Sequence, residues 1–474
     1  MQESLLFLVS VPVSEVIGVK EGRVEIQPQK KVEDTDLDFT LFYVKRSSKG
    51  NGIRAPWSLG RTQFCCPSRA VRDQWITQLR TALKTHSPSR PHRLLVFINP
   101  FGGKKRGKQI FHSLVAPLFE LAGISSHVVV TERANQARDY ILKKDLTGFD
   151  GVICVGGDGM FSELLHGVIG RTQQEAGVSE HDLTVMLQPC DLHIGIIPAG
   201  DSQPLDVCSV HYQSTLVRYS VSMVGYGFYG DVLAESERHR WMGPLRYDYS
   251  GCMVYLCNRS YPGLVQYLPA DSHVSSPRDN TRCLSGCRVC SESKERLFPH
   301  FDSSSSLYST NVSQYSNELE GEWVTVEGRF KCVSLTCMSS SCPKSPTGLS
   351  PSAHLADGTA DLILVRETNP LGFLTYLHRH TNTQDQASAE DPEKLCSSNT
   401  AGHSQQNLTA RTERRNVTIR EKRRGFVCGP CCTKPRSVSV WNCDGEILPH
   451  TEISCRVHGQ LVRLFARGIE DSTS

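Results

Sequence analysis

The stretch Gly151-Val152-Ile153-Cys154-Val155 leads directly into Gly156-Gly157-Asp158-Gly159 and then into Met160–Ile169. The apolar run predicts a buried parallel strand, and the helical spacing of the apolar residues after the glycines predicts a helix. Glycines let the backbone approach an anion, and a helix start offers free N–H groups, so the turn is typical of a phosphate site. Asp158 would repel phosphate, so we interpret it as a magnesium ligand or a proton acceptor. The alternative is an ordinary strand-to-helix turn, where Gly and Asp are common.

Composition limits the classes of protein to which the chain can belong. Its 474 residues suffice for two or three domains, and 39% hydrophobic with 21% charged residues is typical of a globular protein. The net charge of +3 gives no argument for a nucleic-acid partner. No apolar run is long enough to span a membrane, so any membrane contact is expected to be peripheral. The apolar run Leu5–Val13 lacks a preceding basic segment, and we interpret it as a strand rather than a signal peptide.

Three regions are predicted along the chain. Residues 1–88 combine short strand-like pieces with a helix over Ser68–Thr85, whose apolar face would include Val71, Trp75, Leu79 and Leu83. This region resembles a pleckstrin-homology domain with a shortened N-terminus; the alternative is an unrelated small β-rich domain. Residues 91–205 alternate strands and helices, which predicts a parallel sheet with ligands at the carboxyl ends of its strands. Residues 206–474 are predicted to be mostly β, with disordered insertions near 272–316 and 381–423.

Three motifs occur in order at predicted strand ends: Asn99-Pro100-Phe101-Gly102-Gly103, Gly156-Gly157-Asp158-Gly159 and Ile197-Pro198-Ala199-Gly200. Together with the runs Tyr226–Asp231, Cys283–Cys290 and Ser350–Gly358, they resemble the lipid-kinase family that acts on diacylglycerol, sphingosine and ceramide, and within it the ceramide branch. The resemblance implies an α/β nucleotide-binding domain followed by a β-sandwich domain, with the active site in the cleft between them. It also implies transfer of phosphate from ATP to the primary hydroxyl of ceramide, with Mg²⁺ as the metal and Ca²⁺ as the alternative.

The same resemblance assigns roles to individual residues. Asp158 is implied as the catalytic acid/base residue, and Thr131 is expected also to cap the helix that follows it. The implied ATP-binding residues are Asn99, Pro100, Phe101, Thr131, Glu132, Arg133, Ala134, Asn135, Glu163, Gly200, Arg240, Arg246, Asp444, Gly445 and Glu446. The implied substrate-binding residues are Gly156, Gly157, Asp158, Gly159 and Asp231. For Arg240 and Arg246 the alternative is a solvated surface cluster, because exposure is usual for arginine.

Two features point to further partners. Cys283, Cys287 and Cys290 have a spacing compatible with zinc, but three sulfurs make an incomplete structural site. A fourth ligand would come from Cys332, Cys337, Cys342 or the Cys428–Cys432 run; free thiols are the alternative, since we expect most of the 19 cysteines to be reduced. Leu371–His380 is predicted to be either a packed surface helix or a basic amphipathic helix for a calmodulin-type partner.

The sequence departs from the family pattern in three places. Gly200 is followed at once by Asp201, where on the order of two dozen residues, about one helix with its connections, are expected. Residues 381–423 lack an expected apolar strand, and the pleckstrin-homology-like region is shortened. These departures suggest a splice product or an imperfect gene model. The hypotheses are therefore an active ceramide-directed kinase, a catalytically impaired lipid- or nucleotide-binding variant, or a sphingosine or diacylglycerol kinase. The family resemblance implies a cytoplasmic protein bound peripherally to the Golgi or plasma membrane.

Overall fold

The computed structural model describes residues 11–22, 35–45, 58–101, 105–196, 202–268, 282–297, 323–341, 345, 348–351, 353–381, 408–413, 417–421 and 438–466. Residues 5–10 of the predicted strand Leu5–Val13 lie outside the described residues. At the end of that stretch, Val13–Glu15 form a 3-10 turn rather than a strand. Among the described helices, none is both long and apolar enough to cross a membrane.

The N-terminal region is a small antiparallel sheet closed by one helix. Its strands are β1 (Val16–Glu21), β2 (Asp38–Lys45) and β3 (Ser58–Cys65), and its helix is α1 (Arg69–His86). Ser68 caps α1 by accepting a hydrogen bond from the amide of Val71 at 3.3 Å. The prediction for Trp75 was wrong, because its side chain is 52% exposed and the neighbouring Ile76 is buried instead. The packed face includes Arg72, whose charge is compensated by Asp36 and Asp73.

The next region is the predicted parallel sheet. Its strands are β4 (Arg93–Ile98), β5 (Ser125–Val130), β6 (Gly151–Val155) and β7 (His193–Ile196), in the spatial order β5-β4-β6-β7. Its helices are α2 (Gly107–Ile110), α3 (Ala116–Leu121), α4 (Gln136–Lys143) and α5 (Asp158–Ala176), with a π-helical turn, Phe111–Val115, between α2 and α3. Every residue of β6 is buried, as its apolar run predicts. Helix α5 ends where Gly177 adopts a left-handed conformation at φ +67°.

The remaining chain is mostly antiparallel β structure. Its strands are β8 (Ser202–Tyr212), β9 (Thr215–Ser220), β10 (Met223–Gly227), β11 (Tyr261–Tyr267), β12 (Val324–Thr336), β13 (Thr359–Arg366), β14 (Leu408–Glu413), β15 (Val417–Glu421), β16 (Trp441–Cys443), β17 (Glu446–Leu448) and β18 (Ile453–Phe465). Its helices are α6 (Phe228–Arg238), α7 (Leu245–Cys257), α8 (Arg288–Leu297) and α9 (Pro370–Thr381). The long strand β18 pairs antiparallel to β8 and parallel to β7. It thereby joins the two regions into one continuous sheet.

The two insertions predicted to be disordered contain regular structure, and the prediction was wrong for these residues. Helix α8 lies within 272–316, and strands β14 and β15 lie within 381–423. Strand β14 pairs with β13, and β15 bridges β11 and β18. Composition missed both strands because their ladder hydrogen bonds come from partners that are distant in the sequence.

The N-terminal sheet contacts the α/β region through the predicted linker 87–91. Arg90 in this segment donates hydrogen bonds to the carbonyl oxygens of Ile17 at 2.7 Å and Val16 at 2.8 Å. Burial lowers the pKa of the Arg90 guanidinium. A Cβ atom at Gly18 would lie 2.0 Å from the carbonyl oxygen of Leu121, so only glycine permits this approach of β1 to α3. The segment therefore fixes β1 against the α/β region.

Helix α9 is packed against the second region. Its Phe373 is buried at 2% exposure and contacts Phe228 edge-on, and the Tyr255 hydroxyl donates to the Pro370 carbonyl at 3.0 Å. This agrees with the packed surface helix of the two alternatives from the sequence. Leu371, which is 74% exposed, remains accessible at its start.

Candidate functional site

A cavity of about 690 Å³ opens at the carboxyl ends of β4, β5 and β6, beside the start of α5. The residues that line it are Asn99, Phe101, Thr131, Glu132, Arg133, Ala134, Asn135, Arg138, Gly157, Asp158, Gly159, Met160, Ser162, Glu163, His166, Val217, Arg218 and Glu446. Most come from the first two strand-end turns and the glycine turn named from the sequence. Three arginines and four carboxylates share this surface, a composition that suits an anion together with a cation.

The glycine turn places Asp158 at the first residue of α5. Its Oδ1 accepts a hydrogen bond from the amide of Gly159 at 2.8 Å. A Cβ atom at Gly157 or Gly159 would meet no other atom within 4 Å, so the backbone faces open space there. A Cβ atom at Gly156 would lie 2.9 Å from the Met160 side chain, so this glycine serves close packing instead. The turn therefore presents backbone, a carboxylate and a helix N-terminus to the cavity.

The first two strand-end turns are held by side-chain hydrogen bonds. Asn99 Oδ1 accepts from the Phe101 amide at 2.9 Å, which fixes the turn after β4. The prediction that Thr131 caps the following helix was wrong, because its hydroxyl donates to the Ile98 carbonyl at 3.3 Å. Asn135 instead precedes α4 in a left-handed conformation, and Gln136 Oε1 accepts from the Glu132 amide at 2.7 Å. Thr131 therefore ties β5 to β4.

Glu163 joins α5 to α4 at the cavity wall. Its Oε2 accepts a hydrogen bond from the Ala137 amide at 3.2 Å. Nearby, Arg133 forms an ion pair with Asp139 at 2.6 Å, which lowers the pKa of the Asp139 carboxyl. Glu163 thus has a fixed position with one carboxylate oxygen anchored by backbone.

Arg218 links three parts of the cavity that the sequence analysis did not connect. It forms an ion pair with Glu446, and its Nη2 donates to Ser162 Oγ at 2.9 Å. The Nε atoms of both Arg138 and Arg218 are buried without a hydrogen-bond partner among the described residues. Arg138 lies in the first turn of α4, three residues after Asn135, and its closeness to the predicted turn would have suggested it. Arg218 lies on β9, a strand that carries no local signal for the site.

His166 is another cavity residue that the sequence analysis missed. Its Nδ1 lies 2.8 Å from the Ser162 carbonyl oxygen, and its Nε2 accepts from the Tyr219 amide at 3.0 Å. Burial lowers the pKa of His166 to about 4. The imidazole is therefore neutral near pH 7, with its proton on Nδ1, and joins α5 to β9.

Asp444 was predicted to bind ATP, but it does not line the cavity. Its Oδ1 accepts from Ser220 Oγ at 2.8 Å, from the Ser222 amide at 3.1 Å and from the Met223 amide at 2.8 Å. Its Oδ2 accepts from the Val221 amide at 2.8 Å. The carboxylate therefore holds the turn between β9 and β10. Gly445 beside it has φ +86°, and a Cβ atom there would lie 3.3 Å from Asp158 Oδ2.

Arg240 and Arg246, also predicted to bind ATP, are not brought to the cavity. Both pair with Glu237, Arg246 at 3.4 Å, and the Arg240 side chain is 72% exposed. The hydrogen bond that Arg240 donates to Glu237 raises the pKa of the Arg240 guanidinium. The alternative of a solvated surface cluster describes Arg240, whereas the Arg246 side chain is only 18% exposed.

Asp231, predicted to meet the substrate, does not line this cavity; it is buried in the second region, where it lines a smaller pocket together with Asn258 and Lys331. Ser439 Oγ donates to its Oδ1 at 2.8 Å, and the Tyr261 hydroxyl donates to its Oδ2. Burial and the nearby Asp231 charge raise the pKa of Tyr261. Pro100 and Gly156 adjoin the cavity without lining it, and Gly200 lies outside the described residues.

The cysteine motif has an imidazole beside it that the sequence analysis did not anticipate. Cys283, Cys287 and Cys290 lie together with His354. The expectation of a cysteine as fourth member was wrong for Cys332 and Cys337, which are absent from this group. Cys342 and the Cys428–Cys432 run lie outside the described residues.

Comparison with known proteins gives a consistent assignment along the chain. Residues 93–208 match the diacylglycerol kinase catalytic domain, residues 285–474 the ceramide kinase C-terminal domain, and residues 6–79 the ceramide kinase PH domain. The chain is 43% identical to "Ceramide kinase" of Homo sapiens, with 98% of this chain and 89% of that protein covered.

The chain is also similar, at lower sequence identity, to other ceramide and sphingosine kinases. "Ceramide kinase 1" of Caenorhabditis elegans is 28% identical, with 95% of this chain and 78% of that protein covered. "Sphingosine kinase 1" of Arabidopsis thaliana is 30% identical, with 69% and 68% covered. The predicted resemblance to the lipid kinases is confirmed, as is the order of a pleckstrin-homology domain, an α/β catalytic region and a β-rich region. The chain belongs to the ceramide kinase family.

Proposed function

We propose that this chain is an ATP-dependent lipid kinase that converts ceramide to ceramide 1-phosphate. The observation that carries the proposal is Asp158 at the start of α5, in a cavity that also holds Arg133, Arg138 and Arg218. A carboxylate placed among phosphate-binding groups has a use in phosphoryl transfer to a hydroxyl and little use in simple anion binding. The choice of ceramide rests on family membership.

In the proposed reaction, the acceptor is the primary hydroxyl of ceramide. Its oxygen forms a bond to the γ-phosphorus of ATP, the bond from that phosphorus to the bridging oxygen of ADP breaks, and Asp158 accepts the hydroxyl proton. The glycine-turn amides and the helix start stabilise the negative charge on the transferred group. The buried Nε atom of Arg218 favours an anionic ligand, because buried donors normally have a partner, whereas Arg138 Nε already lies 4.0 Å from an Asp139 carboxylate oxygen.

A divalent cation fits the chemistry of the cavity. Carboxylate oxygens are the ligands that Mg²⁺ prefers, and Glu163 offers them at the wall shared with the glycine turn. When bound with ATP, Mg²⁺ would neutralise phosphate charge. Glu163 would orient it, because the Ala137 amide fixes one of the two carboxylate oxygens.

By family resemblance we propose a cytoplasmic location at the surface of the Golgi or plasma membrane; a membrane surface is required because ceramide remains within lipid. Several apolar side chains on and beside α7 and α9 support a membrane-facing surface. They are exposed by 82% for Trp241, 66% for Leu245, 68% for Leu256 and 74% for Leu371. A calmodulin-type partner on α9 is the weaker candidate, because the burial of Phe373 removes the main apolar anchor of that helix.

The test is transfer of labelled phosphate from ATP to ceramide, sphingosine or diacylglycerol in mixed micelles, using the full chain. We expect labelling of ceramide, and loss of at least about a hundredfold in kcat for Asp158→Asn, the usual scale for a general base. Glu175→Gln is the matched control, since Glu175 lies at the far end of the same helix with a 62% exposed side chain. Equal activity of Asp158→Asn and the control would remove Asp158 from the mechanism. Preferential labelling of sphingosine or diacylglycerol would reassign the substrate.

One observation favours a catalytically impaired binding protein as the second candidate. Only the five residues 197–201 connect β7 to β8, where the family pattern has room for a helix. Strand β18 lies between β7 and β8, so the connection has to cross two strand spacings, or about 10 Å. Five residues can cross this distance, and the shortened connection is therefore compatible with the sheet. Transfer to none of the three lipids, with ATP binding retained by calorimetry, would establish this second candidate.

A further inference from the structure

The cysteine motif and His354 form a group apart from the cavity and from the proposed phosphoryl transfer. Cys287 Sγ lies 3.2 Å from His354 Nδ1, and Cys283 Sγ lies 3.6 Å from Cys290 Sγ. All four donor atoms lie within 4.8 Å of one another. Three of the four residues are buried; Cys287 is partly exposed.

The separations of 3.2 Å for Cys287–His354 and 3.6 Å for Cys283–Cys290 are close to the edges of a metal-centred tetrahedron. With Zn–S bonds of about 2.3 Å, tetrahedral geometry places two sulfurs about 3.8 Å apart and a sulfur and a nitrogen about 3.5 Å apart. A disulfide would require the sulfurs at about 2.05 Å, well inside the Cys283–Cys290 separation of 3.6 Å. We propose a structural zinc site in which one ion is bound by four side chains: Cys283, Cys287, Cys290 and His354.

The chemistry of the four ligands selects the metal. Thiolates together with one imidazole are the donor set of structural Cys₃His zinc sites, whereas Mg²⁺ and Ca²⁺ require oxygen ligands. The ligands also have fixed surroundings. Cys283 Sγ accepts a hydrogen bond from the Leu355 amide at 3.4 Å, and Gln460 Nε2 donates to the Cys290 carbonyl at 3.2 Å. Such outer contacts orient metal ligands.

The position of the site explains what the metal would stabilise. Cys287 immediately precedes α8 and Cys290 lies in its first turn, while His354 lies in the segment before β13. At the other end of α8, Leu297 packs so closely on Gly358 and Gly459 that a Cβ atom on either glycine would lie within 3 Å of it. Around the cysteines themselves, the buried apolar cluster is small, with Ala356 as its other buried member. Zinc would therefore fasten α8 to the segment before β13, next to β18, the strand that joins the two kinase regions.

The experiment measures zinc on the full chain purified under reducing conditions without added metal. We expect inductively coupled plasma mass spectrometry to find one zinc ion per chain. After Co²⁺ replaces the zinc, the absorption spectrum should show thiolate-to-cobalt charge-transfer bands. Cys287→Ser removes one ligand at a partly exposed position and should lose the bound zinc. Cys252→Ser, at an exposed thiol outside the group, should retain it.

Two outcomes would overturn the proposal. The first is a folded wild-type chain that contains no zinc and gives no thiolate–cobalt band when titrated with Co²⁺. The second is a zinc content that Cys252→Ser removes and Cys287→Ser does not. The first outcome needs only the wild-type chain, so the proposal can be refuted even if a variant fails to fold. Lipid kinase activity plays no part in this readout.

Discussion

Replacing Asp444 by asparagine separates two roles that one residue could have near the cavity. The family resemblance implies an ATP contact, whereas the structure gives the carboxylate four donors in the turn from Ser220 to Met223. Asparagine has nearly the same shape as aspartate. The substitution therefore changes charge and hydrogen bonding with little change in packing.

The cost follows from the two carboxylate oxygens. In Asp444→Asn the Oδ1 acceptor and its three donors can remain, but the amide nitrogen would face the Val221 amide at the 2.8 Å now spanned by a hydrogen bond. Loss of a hydrogen bond to a charged group costs about 1.5 to 3 kcal/mol. The remaining three bonds also weaken, because the acceptor becomes neutral. We expect a total of roughly 3 to 5 kcal/mol in the free energy of unfolding of this region.

The assay is thermal unfolding of the full chain combined with hydrogen exchange of peptides that cover β9, β10 and β16. We expect a fall of roughly 10 °C in the unfolding midpoint, and faster exchange confined to these strands. Glu446→Gln is the matched control on the same hairpin. Its ion pair with Arg218 is partly exposed, with a 49% exposed Glu446 side chain, so its removal should cost less than about 1 kcal/mol.

The two variants should also differ in ATP kinetics. Glu446 lines the cavity and Asp444 does not, so the KM for ATP should rise for Glu446→Gln at unchanged stability. An Asp444→Asn variant with wild-type unfolding and exchange, but a raised KM for ATP, would refute the assignment of Asp444 as the anchor of the turn.

Two further predictions concern pH and membranes. Folding lowers the pKa of His166 from 6.5 to about 4, so between these pH values the unfolded chain binds a proton more readily than the folded chain. The free energy of unfolding should therefore decrease as the pH falls from 6.5 toward 4, by up to about 3 kcal/mol. The NMR ring signal that disappears in His166→Gln should titrate near pH 4; a midpoint near 6.5 would contradict the buried, neutral imidazole. For membranes, Trp241→Ser should weaken sedimentation with phosphatidylcholine–phosphatidylserine vesicles by roughly tenfold, which corresponds to about 1.4 kcal/mol of lost apolar burial. The control Leu114→Ser changes a 62% exposed residue of the α/β region, and an equal loss in both variants would contradict a specific surface.

The sequence correctly predicted those elements whose structure depends mainly on residues that are adjacent in the chain. The apolar run of β6, the glycines after it and the helix from Asp158 are contiguous, and each local preference points to the same strand–turn–helix unit. Helix α1 shows the limit of periodicity. Trp75 and Ile76 are adjacent in the chain, and periodicity does not decide which of them is buried. The sheet that packs against the helix buries Ile76 and leaves Trp75 exposed.

Polar strands and site residues from distant elements were harder to predict. Strands β14 and β15 carry few apolar residues, so composition indicated disorder, yet both pair with strands of the second region. The roles of Asp444 and Glu446 could not be separated by sequence, since they are two residues apart. The amides of the turn between β9 and β10 donate to Asp444, whereas Arg218 pairs with Glu446.

The sequence by itself determined the type of chemistry, because each of the three motifs, including the glycine turn with Asp158, is encoded by residues that are adjacent in the chain. Tertiary structure alone decided which charged groups share the cavity. Arg218 reaches Glu446 across 228 positions and Ser162 across 56, and His354 reaches Cys287 across 67. Contacts at such separations depend on the pairing of β18 with both β7 and β8, and on the packing of α8 against β13 and β18. Local residue preferences contain no information about these arrangements, because tertiary packing brings the partners together from distant parts of the chain.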